Sequence, residues 1–227
     1  MRVLKYLADV KSTFDSIIFE WDECKSNVQN IYDFIVLFLK ISDPYDKLST
    51  RILEHTLRVM KIADRILNKE IADREIVMVS ILLHDVSKTL CENSHNLLSF
   101  RLAELLLDKY KYLEHKKKKI LDCILYHSAK DLETIDLTPE MKVMMDADII
   151  DEIGILLISR ICLRTHNKNY SVHELEKLLD NKYAKIERET VFLKTKTGRD
   201  LYIQKKKKFK EYIDAFKIES AEFKIYK

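Results

Sequence analysis

The amino-acid sequence predicts an all-α protein, from its composition and from the spacing of its apolar residues. The chain of 227 residues has only two glycines and two prolines, whereas average usage is about 7% and 5%. Hairpin turns and bulges depend on these residues, so an all-β fold is disfavoured. Apolar residues recur instead at spacings of three and four, which is typical of amphipathic helices. No internal repeat and no linker rich in Gly, Ser or Pro is present, which favours a single helical domain.

The first two helices are expected within residues 2 to 40, the second over about residues 27 to 40. The second has an apolar stripe formed by Ile31, Phe34, Ile35, Phe38 and Leu39. Asp43 and Pro44 should end it, because the residue before a proline avoids the helical region. Residues 1 to 44 are therefore expected to form a helical extension that packs on the rest of the chain.

A third helix is expected over about residues 50 to 68, with Ser49 or Thr50 as its N-cap. Its apolar stripe consists of Ile52, Thr56, Val59, Ile62, Ala63 and Ile66. His55 falls within this stripe, so the pattern places an imidazole on the inward face of the helix.

The fourth helix should lie in the middle of the fold, because it is apolar nearly all round. Asp73 can cap it, and its apolar residues are Ile76, Val77, Met78, Val79, Ile81, Leu82 and Leu83. It ends in His84 and Asp85. Buried charge is costly unless it is paired or binds a metal, so a divalent cation is the expected partner. Lys88, one turn further on, could hold a phosphate beside that metal.

Two further helices bring two more histidines. Ser94 is expected to cap a helix over about residues 95 to 110, with His95 in its first turn. The inward residues of this helix are predicted to be Leu97, Leu98, Leu102, Leu105 and Leu106. The next helix, over about residues 116 to 128, should end near His127.

The Thr-Pro-Glu sequence at residues 138–140 is a clear helix start signal, with a cap, a proline and a first-turn acid. The helix that it opens is expected to run to about Leu163. Asp146 and Asp148 lie on it about 200° apart, so only one of them can face a site. Because both faces are apolar, the helical pattern leaves the choice between them open.

The last part of the chain is predicted to hold a loop and two helices. Residues 164 to 170 are polar and should form a surface loop. Ser171 and Glu174 have the spacing of a capping box, which opens a helix to about Arg188. A last amphipathic helix over residues 200 to 218 has its apolar side at Leu201, Ile203, Phe209, Tyr212, Ile213 and Phe216.

Charge and cysteine spacing exclude several classes of protein. The net charge is +3 and the pI is near 8.5, which is too balanced to imply nucleic acid by itself. The four cysteines are Cys24, Cys91, Cys123 and Cys162, with no CxxC pair, which argues against a zinc knuckle and a disulfide framework. With no signal peptide and no run of about 20 apolar residues, we expect a cytoplasmic protein without a membrane span.

Several helices thus deliver candidate metal ligands: His55, His84, Asp85, His95, His127 and Asp148. Neutral imidazoles together with carboxylates suit Zn, Mn, Fe or Ni, and a mixed site of this kind with open positions is typical of catalysis. A metal there would lower the pKa of a bound water and stabilise charge on a phosphoryl oxygen.

These residues resemble a known family pattern. His55 in EHTLRV, His84 and Asp85 in LLHDVSK, His127 in LYHS and Asp148 in DADIIDEIG are similar to the H…HD…H…D pattern of the HD superfamily of metal-dependent phosphohydrolases. MDADIIDEIGILLISR and LKTKTGRDLYIQKKKKFKEYIDAF are similar to the C-terminal half of small stand-alone HD hydrolases, a group that includes nucleotide pyrophosphohydrolases. The resemblance implies a helical bundle of HD-domain type over residues 45 to 218, with a tail at residues 219 to 227.

The resemblance also implies roles for individual residues. The first metal ligands would be His55, His84, Asp85 and Asp148, with Asp85 and Lys88 also catalytic. His95, His127 and Asp151 stand where a second metal or the substrate would be bound. The implied reaction is hydrolysis of a phosphoester or phosphoanhydride, most readily of a nucleotide, by water activated by one or two Mn, Fe, Ni, Co or Zn ions.

An alternative is a catalytically inactive helical module that binds nucleotide or nucleic acid for regulation. Its motivation is the two lysine runs, residues 116–119 and 205–208, and the slightly basic pI. Four consecutive lysines on a helix spread around it, however, so neither run predicts a single basic stripe.

Overall fold

The structure, a computed structural model, describes residues 2–128, 135–165 and 170–222. Within these residues the chain forms ten α-helices and no strand, which confirms the predicted all-α class. The helices are α1 (Arg2–Asp15), α2 (Asn27–Ser42), α3 (Ser49–Leu67), α4 (Arg74–His84), α5 (His95–Lys109), α6 (Glu114–Tyr126), α7 (Pro139–Asp151), α8 (Ile155–Thr165), α9 (Val172–Glu189) and α10 (Lys196–Glu222). None of these described helices is both long and apolar enough to cross a membrane.

The chain divides into two compact units, residues 1–147 and residues 148–227. This division does not test the domain boundaries predicted at residues 44 and 218, which stay a prediction. The last part of the predicted tail, residues 223–227, lies outside the described residues.

Helix α4 forms the centre of the first unit. It packs against α2, α3, α5 and α6. Every residue from Ile76 to His84 is buried, as the all-round apolar pattern predicted. An imidazole at the end of this helix is therefore withdrawn from water.

Helix α3 has the predicted inward face but a different cap. The stripe Ile52, Thr56, Val59, Ile62, Ala63 and Ile66 is buried throughout, which confirms the prediction. Neither Ser49 nor Thr50 caps the helix, however. Asp43 accepts a hydrogen bond from the amide of Ser49, and Asp46 accepts one from the amide of Thr50, both at 2.8 Å. Carboxylates from the preceding loop thus replace the local hydroxyls, because an ionised acceptor is the stronger partner of an amide.

Helix α5 begins at the predicted residue, although Ser94 makes no side-chain cap. A short 3₁₀ turn, Glu92–Ser94, runs directly into α5, so Ser94 lacks the extended backbone of a capping residue. Leu97, predicted to point inward, is 45% exposed, whereas Leu98 and Leu102 are fully buried. The predicted apolar face of α5 was therefore one position too wide.

Helix α7 starts at Pro139 as predicted, but it ends at Asp151 and not near Leu163. Gly154 follows it with φ +96°, a backbone conformation that favours glycine, and α8 then begins. The expected surface loop was also misplaced at its start, because α8 extends through Thr165. Residues 166–169 of that loop lie outside the described residues.

In the second unit, α10 packs against α8 and α9. The capping box of Ser171 and Glu174 is present, which confirms the predicted start of α9. Helix α10 begins four residues before the predicted residue 200, at Lys196. Ile203 and Tyr212 are 48% and 37% exposed, so the predicted apolar side of α10 was too broad.

The lysine run at residues 116–119 is largely neutralised by carboxylates. Lys116 pairs with Glu75, and Lys117 pairs with Asp108. Lys119 lies 3.2 Å from a carboxylate oxygen of Glu140. The run therefore joins neighbouring elements of the first unit and does not form one basic patch.

Asp73 caps α4 as predicted, accepting hydrogen bonds from the amides of Glu75 at 3.0 Å and Ile76 at 3.3 Å. We expect Asp73→Ala to lower the free energy of unfolding by about 1 kcal/mol, since it leaves these amides without a cap. Asp73→Asn retains a capping oxygen and should lose less. Urea unfolding measures both, and an unchanged midpoint for Asp73→Ala would contradict the assigned role.

Candidate metal centre

The centre of the site is the point where α4 stops. His84 is its last residue, and Asp85 leaves the helix with φ −110° and ψ −2° before a short 3₁₀ turn, Val86–Thr89. Adjacent residues inside a regular helix point about 100° apart. Because Asp85 lies just beyond the helix, its carboxylate comes within 3.4 Å of His84 Nε2. Both side chains are almost completely buried, at 0% and 3% exposure.

Four histidines surround the carboxylate of Asp85, two at each oxygen. Nε2 of His55 lies 3.5 Å from Oδ2, and Nε2 of His84 lies 3.4 Å from the same atom. Nε2 of His95 and of His127 lie 3.3 Å and 3.6 Å from Oδ1. The structure thus brings together five of the predicted site residues, from α3, α4, α5 and the end of α6.

The other ring nitrogen of three of these histidines is fixed by the backbone. In each case Nδ1 lies 2.7 Å from the carbonyl oxygen three residues earlier: His84 and Ile81, His95 and Glu92, His127 and Ile124. A carbonyl only accepts, so Nδ1 carries the proton and donates it. In the neutral imidazole Nε2 then carries the lone pair. Metal-binding histidines are usually oriented in this way.

The donor atoms are crowded in a manner that suits a cation. Nε2 of His95 and Nε2 of His127 are 3.2 Å apart, and both face the carboxylate of Asp85. Two imidazole lone pairs beside an ionised carboxylate repel one another unless positive charge lies between them. One ligand atom from each of His84, Asp85 and His127 lies within 4.8 Å of the others. The residues therefore fit a divalent metal held by nitrogen and oxygen.

Nearby positive charge lowers the pKa of Asp85 more than burial raises it. Burial alone would raise the pKa of its carboxyl group, but His84, His127 and the ammonium of Lys88 lower it well below the ordinary value. Lys88 forms an ion pair with Oδ2 of Asp85, while its side chain remains 29% exposed. At His95, burial lowers the pKa of the imidazole, so the neutral form is favoured. The cluster thus presents an ionised carboxylate at Asp85, a neutral imidazole at His95 and an accessible ammonium at Lys88.

The three aspartates of α7 have different surroundings. Asp146 is fully buried, and Asp148, the first residue of the second unit, is half-buried. Asp151 is buried, and Arg160 donates to its carbonyl oxygen at 2.8 Å and lies 4.0 Å from its Oδ2. Arg160 thus lies beside the end of α7. The metal role of Asp148 and the second-metal or substrate role of Asp151 stay predictions.

Two hydroxyl contacts beside the site were not predicted from the sequence. The hydroxyl of Ser42, the last residue of α2, lies 2.8 Å from the hydroxyl of Thr89, the last residue of the 3₁₀ turn. On the other side of that turn, the amide of Ser87 donates to the hydroxyl of Ser99 at 3.3 Å. No motif connects such residues, because the first pair is separated by 47 positions.

A family model described as HD domain matches residues 52–153. No curated protein sequence matches the chain. Among solved structures, a predicted HD superfamily hydrolase from an uncultured Thermotogales bacterium has a TM-score of 0.61 at 20% identity, over 84% of this chain and 91% of that one. Bacillus subtilis YpgQ has a TM-score of 0.60 at 23% identity, over 86% and 97%. YpgQ in complex with ADP has a TM-score of 0.56 at 24% identity, over 83% and 97%.

These solved structures share the fold of this chain, which supports the predicted helical architecture of HD-domain type. The residues matched by the family model include all four histidines of the cluster and Asp85. The family match and the common fold together support an HD domain over residues 52–153.

Proposed function

We propose that the protein is a metal-dependent phosphohydrolase that cleaves a phosphoester or phosphoanhydride, with nucleotides as its substrate class. The observation that supports this proposal most strongly is the single buried carboxylate of Asp85 between two pairs of imidazoles. A nitrogen and oxygen donor set without thiolates is typical of catalytic metal sites and not of structural zinc.

The arrangement supports two cation positions. His55 and His84 would hold one cation at Oδ2 of Asp85, and His95 and His127 would hold the other at Oδ1. Asp85 would bridge them, and we propose Asp148 as a further ligand of the first, by its place in the family pattern. A divalent cation bound there would supply Lewis-acid charge and lower the pKa of a bound water.

The protein groups would orient the reacting atoms. The carbonyls that fix the three imidazoles keep their Nε2 atoms directed toward Asp85, where the proposed cations would be held. The ammonium of Lys88 is close to Asp85 yet accessible, so it could contact a phosphoryl oxygen of the substrate. It would neutralise charge that develops on that oxygen during hydrolysis. Asp85 would both bind metal and orient the attacking water.

A nucleotide substrate is supported by one comparison. YpgQ, which shares the fold, has been solved in complex with ADP. A phosphate chain would suit a site that offers metal positions and a nearby ammonium. The alternative of an inactive nucleic-acid-binding module gains no comparable support, because three of the four lysines at residues 116–119 pair with carboxylates.

Metal content is the first test. We expect purified protein equilibrated with Mn²⁺ to retain two ions per chain. His127→Ala should retain one, since it removes only a ligand of the cation held at Oδ1 of Asp85. Elemental analysis after gel filtration measures this ratio. His115→Ala is the matched control, because His115 is exposed. Equal metal content in wild type and His127→Ala would contradict the two-position arrangement.

Activity should depend on the bridging carboxylate. With Mn²⁺, Co²⁺ or Ni²⁺ the wild type should hydrolyse at least one of a panel of nucleotides or a generic phosphodiester, and EDTA should stop the reaction. Asp85→Ala should lower kcat/KM by more than about 100-fold, because it removes the shared ligand. Circular dichroism should show unchanged helix content. A wild-type rate in this variant would refute the proposed mechanism.

Lys88 should act on the phosphate and not on the metal. We expect Lys88→Met to lower kcat/KM by about 10²- to 10³-fold, since it removes a charge that stabilises the transition state. Its Mn²⁺ content should match that of the wild type. Lys69→Met, at an exposed position, serves as the control. An unchanged kcat/KM for Lys88→Met would exclude this lysine from the reaction.

A further inference from the structure

The 3₁₀ turn Val86–Thr89, which follows Asp85 and contains Lys88, is held by side chains on two sides. On one side, the hydroxyls of Ser42 and Thr89 lie 2.8 Å apart. On the other, Ser99, fully buried on α5, accepts a hydrogen bond from the amide of Ser87. Lys88 therefore lies between two anchored residues.

Each of the two hydroxyls also has a backbone carbonyl within reach. The hydroxyl of Thr89 lies 3.3 Å from the carbonyl oxygen of Val86, and the hydroxyl of Ser42 lies 3.4 Å from that of Leu39. Either hydroxyl can therefore donate in the contact between Ser42 and Thr89. In both cases the hydrogen bond connects the end of α2 to the last residue of the 3₁₀ turn.

This connection begins outside the residues matched by the family model, which start at residue 52. Helix α2 nevertheless packs against both α4 and the 3₁₀ turn. Because Thr89 and Lys88 are neighbours in one short turn, the backbone position of Thr89 constrains where the lysine side chain begins. Fixing the lysine head group costs rotamer freedom in any case, but an anchored turn avoids the further cost of ordering the backbone when phosphate binds.

We propose that Ser42 and Thr89 are positioning residues of the site, and that their hydrogen bond holds the 3₁₀ turn so that Lys88 meets the substrate phosphate. This inference rests on the proposed function. Helix α2, which precedes the residues matched by the family model, would then contribute to phosphate binding.

The test measures binding of inorganic phosphate to Mn²⁺-loaded protein by calorimetry, together with KM and kcat for a generic phosphodiester. Thr89→Val and Ser42→Ala should each weaken phosphate binding by about 3- to 10-fold, the range expected for one hydrogen bond. The double variant should be no weaker than Thr89→Val. Thr89→Ser, which keeps the hydroxyl, should restore most of the affinity.

A double-mutant cycle with Lys88 separates positioning from general destabilisation. In a Lys88→Met background, Thr89→Val should cause no further loss of phosphate affinity, because the group that it positions is absent. Tyr110→Phe is the matched control. It removes a hydroxyl that donates to the carbonyl of Phe19 at 2.9 Å, and it should lower stability without changing phosphate affinity.

Unchanged phosphate affinity in both Thr89→Val and Ser42→Ala would overturn the inference. A loss in Thr89→Val that persists in full without Lys88 would overturn it as well. If the wild type binds Mn²⁺ and phosphate but hydrolyses no substrate, the proposed activity fails, whereas the phosphate measurements still decide the positioning role. A wild type that binds no phosphate would contradict both.

Discussion

The burial of one ionised carboxylate among imidazole nitrogens is the constraint on which the rest of the structure depends. Removing a carboxylate from water costs several kcal/mol unless the protein compensates it. Asp85 is 3% exposed at the end of the most buried helix of the first unit. The ammonium of Lys88 supplies part of the compensation. Four histidine Nε2 atoms lie near the carboxylate oxygens of Asp85, and a cation held between them would supply the remainder.

Three histidines of this cluster make the same local hydrogen bond to the backbone. A histidine at a helix terminus donates from Nδ1 to the carbonyl three residues earlier, which fixes both its tautomer and the direction of Nε2. The helices need only converge at their ends, and the packing of α4 against α3, α5 and α6 achieves this. The same packing explains why so much of α4 is apolar: a helix that is surrounded on all sides has no polar face.

The sequence was most informative for the inward faces of α3 and α4. The buried stripe of α3 and the all-round burial of α4 followed from spacing alone. Helix ends were harder to predict, because the cap of α3 comes from Asp43 and Asp46 in the preceding loop, and α7 stops where Gly154 adopts a positive φ. For the site, the histidines could be chosen from a motif, whereas the contact between Ser42 and Thr89 depends on tertiary packing that no local pattern reports.

X-ray absorption spectroscopy of the Co²⁺-loaded protein tests the central claim most directly, since it reports which atoms surround the metal. The account predicts imidazole nitrogens together with carboxylate oxygen, and a second cobalt at about 3.5–4 Å. A spectrum with oxygen ligands only and no imidazole would show that the cluster around Asp85 is not the metal centre.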